Sequence, residues 1–311
     1  MDSTAREQWQ SEVLDAILES FAASKPLASC LIFKGARVLS RRLETPRRRS
    51  LDIDTNLDRR FADTHPGHSA QRDYLRTEVA TALREYFGRQ NPVRFELVNV
   101  KVEPNPRQGH PRSWTAFLVS ISVRDLAKLG VRGLPSLTVD VAAPEVLDVD
   151  SVAPLRVGNH EVVAYTLPRI VGEKLRAFLT SLPAYRRKLG RPGESVRTKD
   201  IYDLVCIEQE RPLTDRAFWS AAGREFRTAS ASRYVDCAGL MTFEEDLDVT
   251  RATYEADATI PKDISFSEAW AVLTAIVKLM ESLGVIPFTF PPPEDNPGDT
   301  GPSAITAKPV S

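Results

Sequence analysis

The chain has 311 residues, 42% hydrophobic and 27% charged, so it is long enough for one large or two modest domains with a buried core. Its 41 basic and 42 acidic residues nearly cancel, which excludes a strong global charge excess of the kind that attracts nucleic acid. The three cysteines form no C-x-x-C pair and the four histidines lack ligand spacing, which argues against structural zinc and predicts reduced, mostly buried thiols.

Charge is nevertheless distributed unevenly along the chain. Residues 34–49 contain seven basic side chains against one acid, and residues 169–199 contain nine against two. The acidic counterweight lies at residues 236–263. This asymmetry favours one positive surface suited to a polyanion, although the run Arg47, Arg48 and Arg49 is equally consistent with a solvated face.

The first predicted element is an amphipathic helix in which apolar residues from Trp9 to Phe21 recur at helical spacing. Pro26 ends that pattern, and a short apolar run then leads into Gly35. A second helix is predicted over residues 38–43, followed by a loop that returns the chain to a strand. The expected order is therefore a strand, a glycine turn, a helix and a second strand.

The second strand contains a pair of carboxylates. On a β-strand Asp52 and Asp54 point to one face and Ile53 points to the other. Two hard oxygen ligands on one side of a rigid element form a suitable site for Mg²⁺ that carries phosphates. The preceding Gly35 provides a turn where backbone N–H groups can approach those phosphates.

A helix is predicted over residues 72–87, and three strands are predicted over residues 94–102, 114–123 and 137–141. In the last strand the apolar residues share one face and Asp140 points away from it. Asp140 can therefore join the Asp-x-Asp pair as a third carboxylate across neighbouring strands. The alternative is an exposed aspartate with no role in a site.

Residues 144–160 are turn-rich and predict a domain boundary. The chain is then mostly helical, and its tail contains many prolines and few large apolar residues. Helices are predicted over residues 168–182, 199–207, 215–226 and 267–283. The predicted organisation is an α/β core over residues 1–150, a mostly helical domain over 151–288 that completes the site, and a disordered tail over 289–311.

Lys174 falls inside the apolar arc of the helix predicted from residue 168. A lysine there must either extend to water or meet an anion, because burying it unpaired is costly. Asp200 lies in the first turn of the next helix, where it favours the helix dipole or orients Lys174. Arg176 lies outside the apolar arc but is close enough in sequence to help bind a polyanion.

Four short motifs in order resemble the AbiEii-type toxin family of nucleotidyltransferases, from type IV toxin–antitoxin systems. These motifs are Lys34-Gly35-Ala36, Ser50-Leu51-Asp52-Ile53-Asp54, Glu173-Lys174-Leu175-Arg176-Ala177 and Lys199-Asp200-Ile201-Tyr202-Asp203-Leu204. Ala36 stands where the family commonly has a second small residue, Gly or Ser, and Arg37 stands where Thr is common. The matching motifs lie within roughly residues 31 to 206.

The resemblance implies an α+β fold with a nucleotidyltransferase-like mixed sheet flanked by helices, followed by a mostly helical C-terminal part. It also implies transfer of a nucleotide from an NTP to an RNA acceptor, the tRNA 3′ end, which blocks translation in a toxin–antitoxin or phage-defence system. The catalytic residues it implies are Asp52, Asp54, Lys174, Asp200 and Asp140, with Asp52 and Asp54 binding Mg²⁺. The nucleotide-binding residues are Gly35, Ala36, Arg37, Ser50 and Lys174. The RNA-binding residues are Arg41, Arg47, Arg48, Arg49 and Arg176.

The implied partners are an NTP, tRNA or another RNA, and a cognate antitoxin that is a DNA-binding protein or a kinase-like protein. No membrane partner is expected, because no apolar run reaches 18 residues, and without an apolar leader a cytoplasmic location is expected. A different answer stays open at this point. The chain can instead be a catalytically weak nucleotide- or RNA-binding regulator, or a nucleotidyltransferase that acts on a protein or a small molecule.

Overall fold

In a computed structural model, the described residues are 3–44, 48, 50–105, 116–128, 134–188, 196–233 and 235–290. The tail predicted to be disordered lies outside them from residue 291 onward. The strands are β1 Leu31–Lys34, β2 Asp52–Leu57, β3 Phe95–Pro104, β4 Phe117–Asp125, β5 Leu137–Ala142, β6 Val152–Val157 and β7 His160–Tyr165. The helices are α1 Ser3–Ala23, α2 Lys25–Cys30, α3 Gly35–Arg42, α4 Arg59–Thr64, α5 His68–Gly88, α6 Leu167–Ser181, α7 Pro183–Lys188, α8 Thr198–Glu210, α9 Arg216–Ala231, α10 Leu240–Glu244, α11 Leu247–Ala256 and α12 Phe266–Ser282, with short 3₁₀ helices at Leu126–Lys128 and Val149–Ser151.

The strands form one mixed sheet in the order β3-β4-β5-β2-β1-β7-β6. β2 runs parallel to β5 and β1 runs parallel to β7, whereas the other neighbouring pairs are antiparallel. A parallel pair needs a long crossover, and the segment from α4 to β4 provides it between β2 and β5. The alternation along β2 buries Ile53, Thr55 and Leu57 on the core face and leaves Asp52 and Asp54 on the other face.

Helices α1 and α5 pack against each other and against strands of the sheet. The apolar positions of α1 from Trp9 to Phe21 are buried, which confirms the predicted amphipathic helix. The indole Nε1 of Trp9 donates to Asp125 Oδ2 at 3.0 Å and joins the start of α1 to the end of β4. The three cysteines are free and buried, as predicted for them.

Residues 144–160, which were predicted to be a turn-rich boundary, contain β6 and the first residue of β7, whereas residues 143–148 have no regular secondary structure. Pro154 reads as a turn signal, but it lies in a strand at the edge of the sheet, where a missing N–H need not cost a ladder bond. The sheet therefore extends to Tyr165, 15 residues beyond the predicted end of the α/β core at residue 150. A division of the chain into two folding domains stays a prediction.

The C-terminal part is helical, and the predicted helices there correspond to α6, α8, α9 and α12. Helices α6 and α9 approach closely at Gly172, where an added Cβ would lie 2.5 Å from the backbone nitrogen of Phe226. This close packing positions the face of α6 that carries Lys174. The mixed sheet with helices around it and a helical C-terminal part confirms the predicted α+β class. Within the described ranges, no helix is both long enough and apolar enough to cross a membrane.

Candidate active site

Gly35 shapes the turn between β1 and α3. Its φ is +79°, in the left-handed region that favours glycine. A Cβ at this position would lie 2.0 Å from Asp54 Oδ2, so any side chain here would displace that carboxylate. The glycine therefore permits the start of α3 to lie against the Asp54 carboxylate.

Three aspartates meet on the polar face of the sheet. Asp54 lies opposite Asp140 in the parallel register of β2 with β5, and opposite Lys34 in the antiparallel register of β1 with β2. Asp52 lies two residues before Asp54 on the same face. One carboxylate oxygen each from Asp52, Asp54 and Asp140 lies within 4.8 Å of the others. Three hard oxygen donors at this spacing can hold a divalent cation.

The protonation behaviour of these aspartates agrees with a cation site. Burial, and then the negative charge of Asp52, raise the pKa of Asp54 to about 6. The same two causes raise the pKa of Asp140 above its usual range. Lys34 opposes both shifts but does not cancel them. The ionised carboxylates therefore need more positive charge than the chain supplies, and a divalent metal would provide it.

A cleft of about 270 Å³ opens beside Asp54. Lys34, Gly35 and Asp54 form its sheet side, while α6 and the start of α8 form the opposite side. Basic side chains contribute strongly to its lining: Lys34, Lys174, Arg176 and Arg197. The cleft thus places basic side chains beside and across from Asp54, an arrangement suited to a polyphosphate.

Lys174 is buried between two carboxylates of α8. Its Nζ donates to Asp200 Oδ1 at 3.2 Å and also to Asp203 Oδ2. Burial pulls the pKa of Asp200 upward, but Lys174 and Arg197 together hold that pKa well below its usual range. The sequence prediction that Lys174 meets an anion is consistent with this contact. The anions that it meets are the Asp200 and Asp203 carboxylates of α8.

Arg197 is a cleft residue that the sequence interpretation missed. Its Nε donates to Asp200 Oδ2 at 2.7 Å, and its side chain is 51% exposed. Asp200, and more weakly Asp54 and Asp52, raise the pKa of Arg197. The Arg197 charge therefore interacts both with Asp200 of α8 and with the aspartates of β2. The three-residue spacing from Arg197 to Asp200 at a helix start was a signal that could have found it.

A second buried network supports the sheet side of the cleft. Arg169 is 1% exposed and forms ion pairs with Glu145 at 2.8 Å, Glu173 at 2.9 Å and Glu225 at 3.0 Å. The Tyr165 hydroxyl donates to Glu145 Oε2 at 2.9 Å. Although burial acts in the opposite direction, Lys34 and Arg169 hold the pKa of Glu145 well below its usual range. The network ties α6 to β7 next to the cleft.

Two residues expected at the nucleotide have contacts elsewhere. Arg37 is 9% exposed, and its guanidinium donates to Asp52 O, Ser50 O and Asp15 Oδ1 at 3.1, 2.7 and 2.8 Å. The Ser50 hydroxyl donates to Asp52 Oδ1 at 2.7 Å. Both therefore hold the start of β2 and orient Asp52. Ala36 is buried at the start of α3, next to Gly35.

The arginines expected to bind RNA are distributed differently from the prediction. Arg48 points inward, with a side chain 7% exposed and two donors on the Asp203 carboxylate at 2.7 Å. It therefore does not present a free charge to RNA. Arg41 is partly exposed and lies 3.5 Å from Asp15, and Arg176 lines the cleft and pairs with Glu173 at 2.7 Å. Residues 47 and 49 lie outside the described residues.

The mixed sheet, three aspartates that could bind a metal ion, and the basic cleft beside them fit the nucleotidyltransferase class of enzymes. The family model described as "Nucleotidyl transferase AbiEii toxin, Type IV TA system" matches residues 16–277. The chain belongs to this family and is a nucleotidyltransferase toxin of a type IV toxin–antitoxin system.

Comparison with curated proteins gives no match. Among solved structures, one similar chain is the antibiotic-resistance factor ANT(2″)-Ia, with 13% sequence identity and a TM-score of 0.37. The alignment covers 72% of this chain and 94% of that chain. A likeness of this degree does not bear on the acceptor.

Proposed function

We propose that the protein transfers a nucleotide from an NTP to an RNA acceptor, the 3′ end of tRNA, and thereby blocks translation as part of a toxin–antitoxin or phage-defence system. The observation that carries the proposal is the meeting of Asp52, Asp54 and Asp140 beside a cleft with basic walls. A cytoplasmic location, where tRNA and NTPs are available, belongs to the same proposal. So does neutralisation by a cognate antitoxin, either a DNA-binding protein or a kinase-like protein.

The donor set fits Mg²⁺, because three carboxylate oxygens lie close together and repel each other without a cation. Asp52 and Asp54 would hold the ion, and Asp140 completes the set. Bound Mg²⁺ would neutralise negative charge on the triphosphate. Ser50 keeps Asp52 oriented through its hydrogen bond to Oδ1.

In the reaction, the 3′ hydroxyl oxygen of the acceptor forms a bond to the α-phosphorus of the NTP. The bond from that phosphorus to the oxygen bridging the α- and β-phosphates breaks, and pyrophosphate leaves. Asp140, which lies opposite Asp54 in the sheet, accepts the hydroxyl proton. In-line geometry then depends on how the cleft holds the triphosphate.

The basic side chains of the cleft, Lys34, Arg176 and Arg197, hold that triphosphate. Arg197 is half exposed and already faces the carboxylates, so it has a donor surface for a phosphate. Lys34 and Arg176 line the same cleft, and Lys174 with Asp200 keeps the start of α8 in place against α6. In this arrangement Gly35 and Ala36 bring backbone close to the phosphates, whereas Arg37 acts through Asp52.

Incubation of the pure protein with each labelled NTP, Mg²⁺ and total tRNA tests the proposal. Label at the 3′ end of tRNA supports it. Label in the protein itself or in a small molecule would show that the acceptor is not tRNA. NTP binding without transfer would indicate a regulator. Asp52→Ala is the active-site control, and full transfer activity in that variant would refute the metal-binding role of Asp52.

A further inference from the structure

A second groove, of about 480 Å³, lies at the start of β1, and two of its lining residues, Ile32 and Val163, share the sheet face of the active-site cleft. Ile32 and Val163 form its floor. Each lies two residues before a residue of the active-site cleft on the same strand, Lys34 on β1 and Tyr165 on β7. Side chains two residues apart share a face and are separated by about 7 Å along a strand. The two depressions are therefore neighbours.

Three aromatic rings form one side of this groove. The rings of Phe61 and His65 stack with centroids 4.3 Å apart, and Tyr74 lies 4.8 Å from Phe61 and 4.9 Å from His65. All three line the groove, and His65 and Tyr74 remain partly exposed. A partly exposed aromatic platform offers π-faces on which nucleic-acid bases stack.

The same side of the groove is basic. Arg60 lines it and is exposed, and its neighbour Arg59 is exposed as well. Within the described part of the chain neither arginine forms a salt bridge. The nearby acid, Asp58, also lines the groove and caps the start of α4, where its Oδ1 accepts from the backbone N–H groups of Arg60 and Phe61. Arginine charge is thus available to a phosphate backbone.

We propose that this groove binds the single-stranded RNA that leads to the acceptor end. The proposal rests on the proposed function, since it requires an RNA acceptor in the neighbouring cleft. Bases next to the terminal nucleotide stack on the partly exposed rings of His65 and Tyr74, which pack against Phe61, while Arg60 contacts a phosphate. Aromatic rings interleaved with arginine beside a catalytic cleft favour a nucleic-acid strand over an apolar protein helix, which would leave the arginines unmatched.

Binding of fluorescein-labelled eight-nucleotide oligouridylate and oligoadenylate, measured by anisotropy without NTP, tests the groove. Arg60→Glu should weaken binding about tenfold or more and make the log–log salt dependence shallower by about one unit. His65→Ala should weaken binding about tenfold with an unchanged salt slope, because stacking releases no counterions, and His65→Phe should retain binding. Arg84→Glu is the matched control, since Arg84 is exposed on α5 about 15 Å along the helix from Tyr74.

Equal binding by the wild-type protein and all four variants would overturn the groove proposal, as would equal weakening by Arg60→Glu and Arg84→Glu. Failure of wild-type protein to bind either oligonucleotide would overturn it as well. The tRNA labelling experiment reports separately on the proposed function. If tRNA is labelled but the groove variants bind RNA like the wild-type protein, only the groove proposal is refuted. If binding depends on the groove but no nucleotide is transferred, only the proposed reaction is refuted.

Discussion

The Cα of Gly35 lies so close to the Asp54 carboxylate that a methyl group would sit 2.0 Å from Oδ2. Gly35→Ala should therefore abolish transfer activity and lower stability, because the variant combines left-handed backbone strain of about 1–2 kcal/mol with displacement of Asp54, a proposed metal ligand. Thermal unfolding and the labelling assay measure the two effects. Gly284→Ala is the matched control, since its φ is +70° but an added Cβ has nothing within 4 Å. Equal loss in both variants would show that the contact with Asp54 is unimportant.

The raised pKa of Asp54 predicts an unusual pH dependence of stability without metal. Its pKa rises from 3.8 to about 6 on folding, so its protonated form is favoured in the folded state. The stabilisation is complete below pH 3.8 and is lost as the pH rises through about 6. In EDTA, Asp54→Asn should be more stable than the wild-type protein at pH 7.5 by about 3 kcal/mol, and inactive. Urea unfolding at pH 5 and 7.5 gives the comparison, and an Asp54→Asn variant less stable at both pH values contradicts it.

Metal addition should reverse that destabilisation. Millimolar Mg²⁺ at pH 7.5 should raise the melting temperature of the wild-type protein, because the ion binds only the folded triad. The increase should shrink at pH 5, where Asp54 is largely protonated, and should vanish in Asp52→Ala. A shift of equal size in that variant would place the bound ion elsewhere.

Asp203 joins two buried cations, Lys174 and Arg48. Asp203→Ala should lower the free energy of unfolding by about 3–5 kcal/mol, because it leaves the Arg48 charge buried without its partner. Adding Arg48→Met should recover much of that loss, whereas adding Arg84→Met, at an exposed site, should recover none. Urea unfolding of the single and double variants measures the coupling, and additive effects would show that the two side chains act independently.

Arg197 should matter for the NTP more than for folding. Arg197→Ala should raise the KM for NTP about tenfold or more, because it removes a charge-assisted phosphate contact at a half-exposed position. Its stability should change less than in Asp203→Ala, since Lys174 still pairs with the buried Asp200 when Arg197 is removed. Arg227→Ala, exposed on α9, serves as the matched control. An unchanged KM with a reduced kcat would assign Arg197 to positioning of the acceptor instead.

Much of the fold was accessible from local patterns. The period of apolar residues located α1, α5 and α6, and strand alternation placed Asp140 on the face opposite the core, where it meets Asp54. Local patterns could not show that Pro154 lies at a sheet edge, since that depends on which strands pair. The strand pair of β6 and β7 was consequently missed.

The basic residues were the least predictable part of the site. A run of arginines does not reveal which of them turn inward, and the partner of Arg48 lies 155 positions later in the chain. Arg37 likewise finds its acceptors only after β2 has folded beside α3. Lys34 could be placed beside Asp54 only from the register of β1 with β2. The contacts of Arg48, Arg37 and Lys34 depend on residues that are distant in sequence, and local residue spacing does not predict them.

The pairing of Asp54 with Asp140 also sets how much of the chain must be synthesised before the candidate site can form. The two residues are 86 positions apart (140 − 54) and lie on adjacent parallel strands. At about 5–20 residues per second, the ribosome needs about 4–17 s to advance from one to the other. Arg197 and Asp200 are translated later still. We therefore expect a nascent chain, or one cut short before α8, to be inactive, because it carries the three aspartates without Arg197 and Asp200 on the opposite side of the cleft.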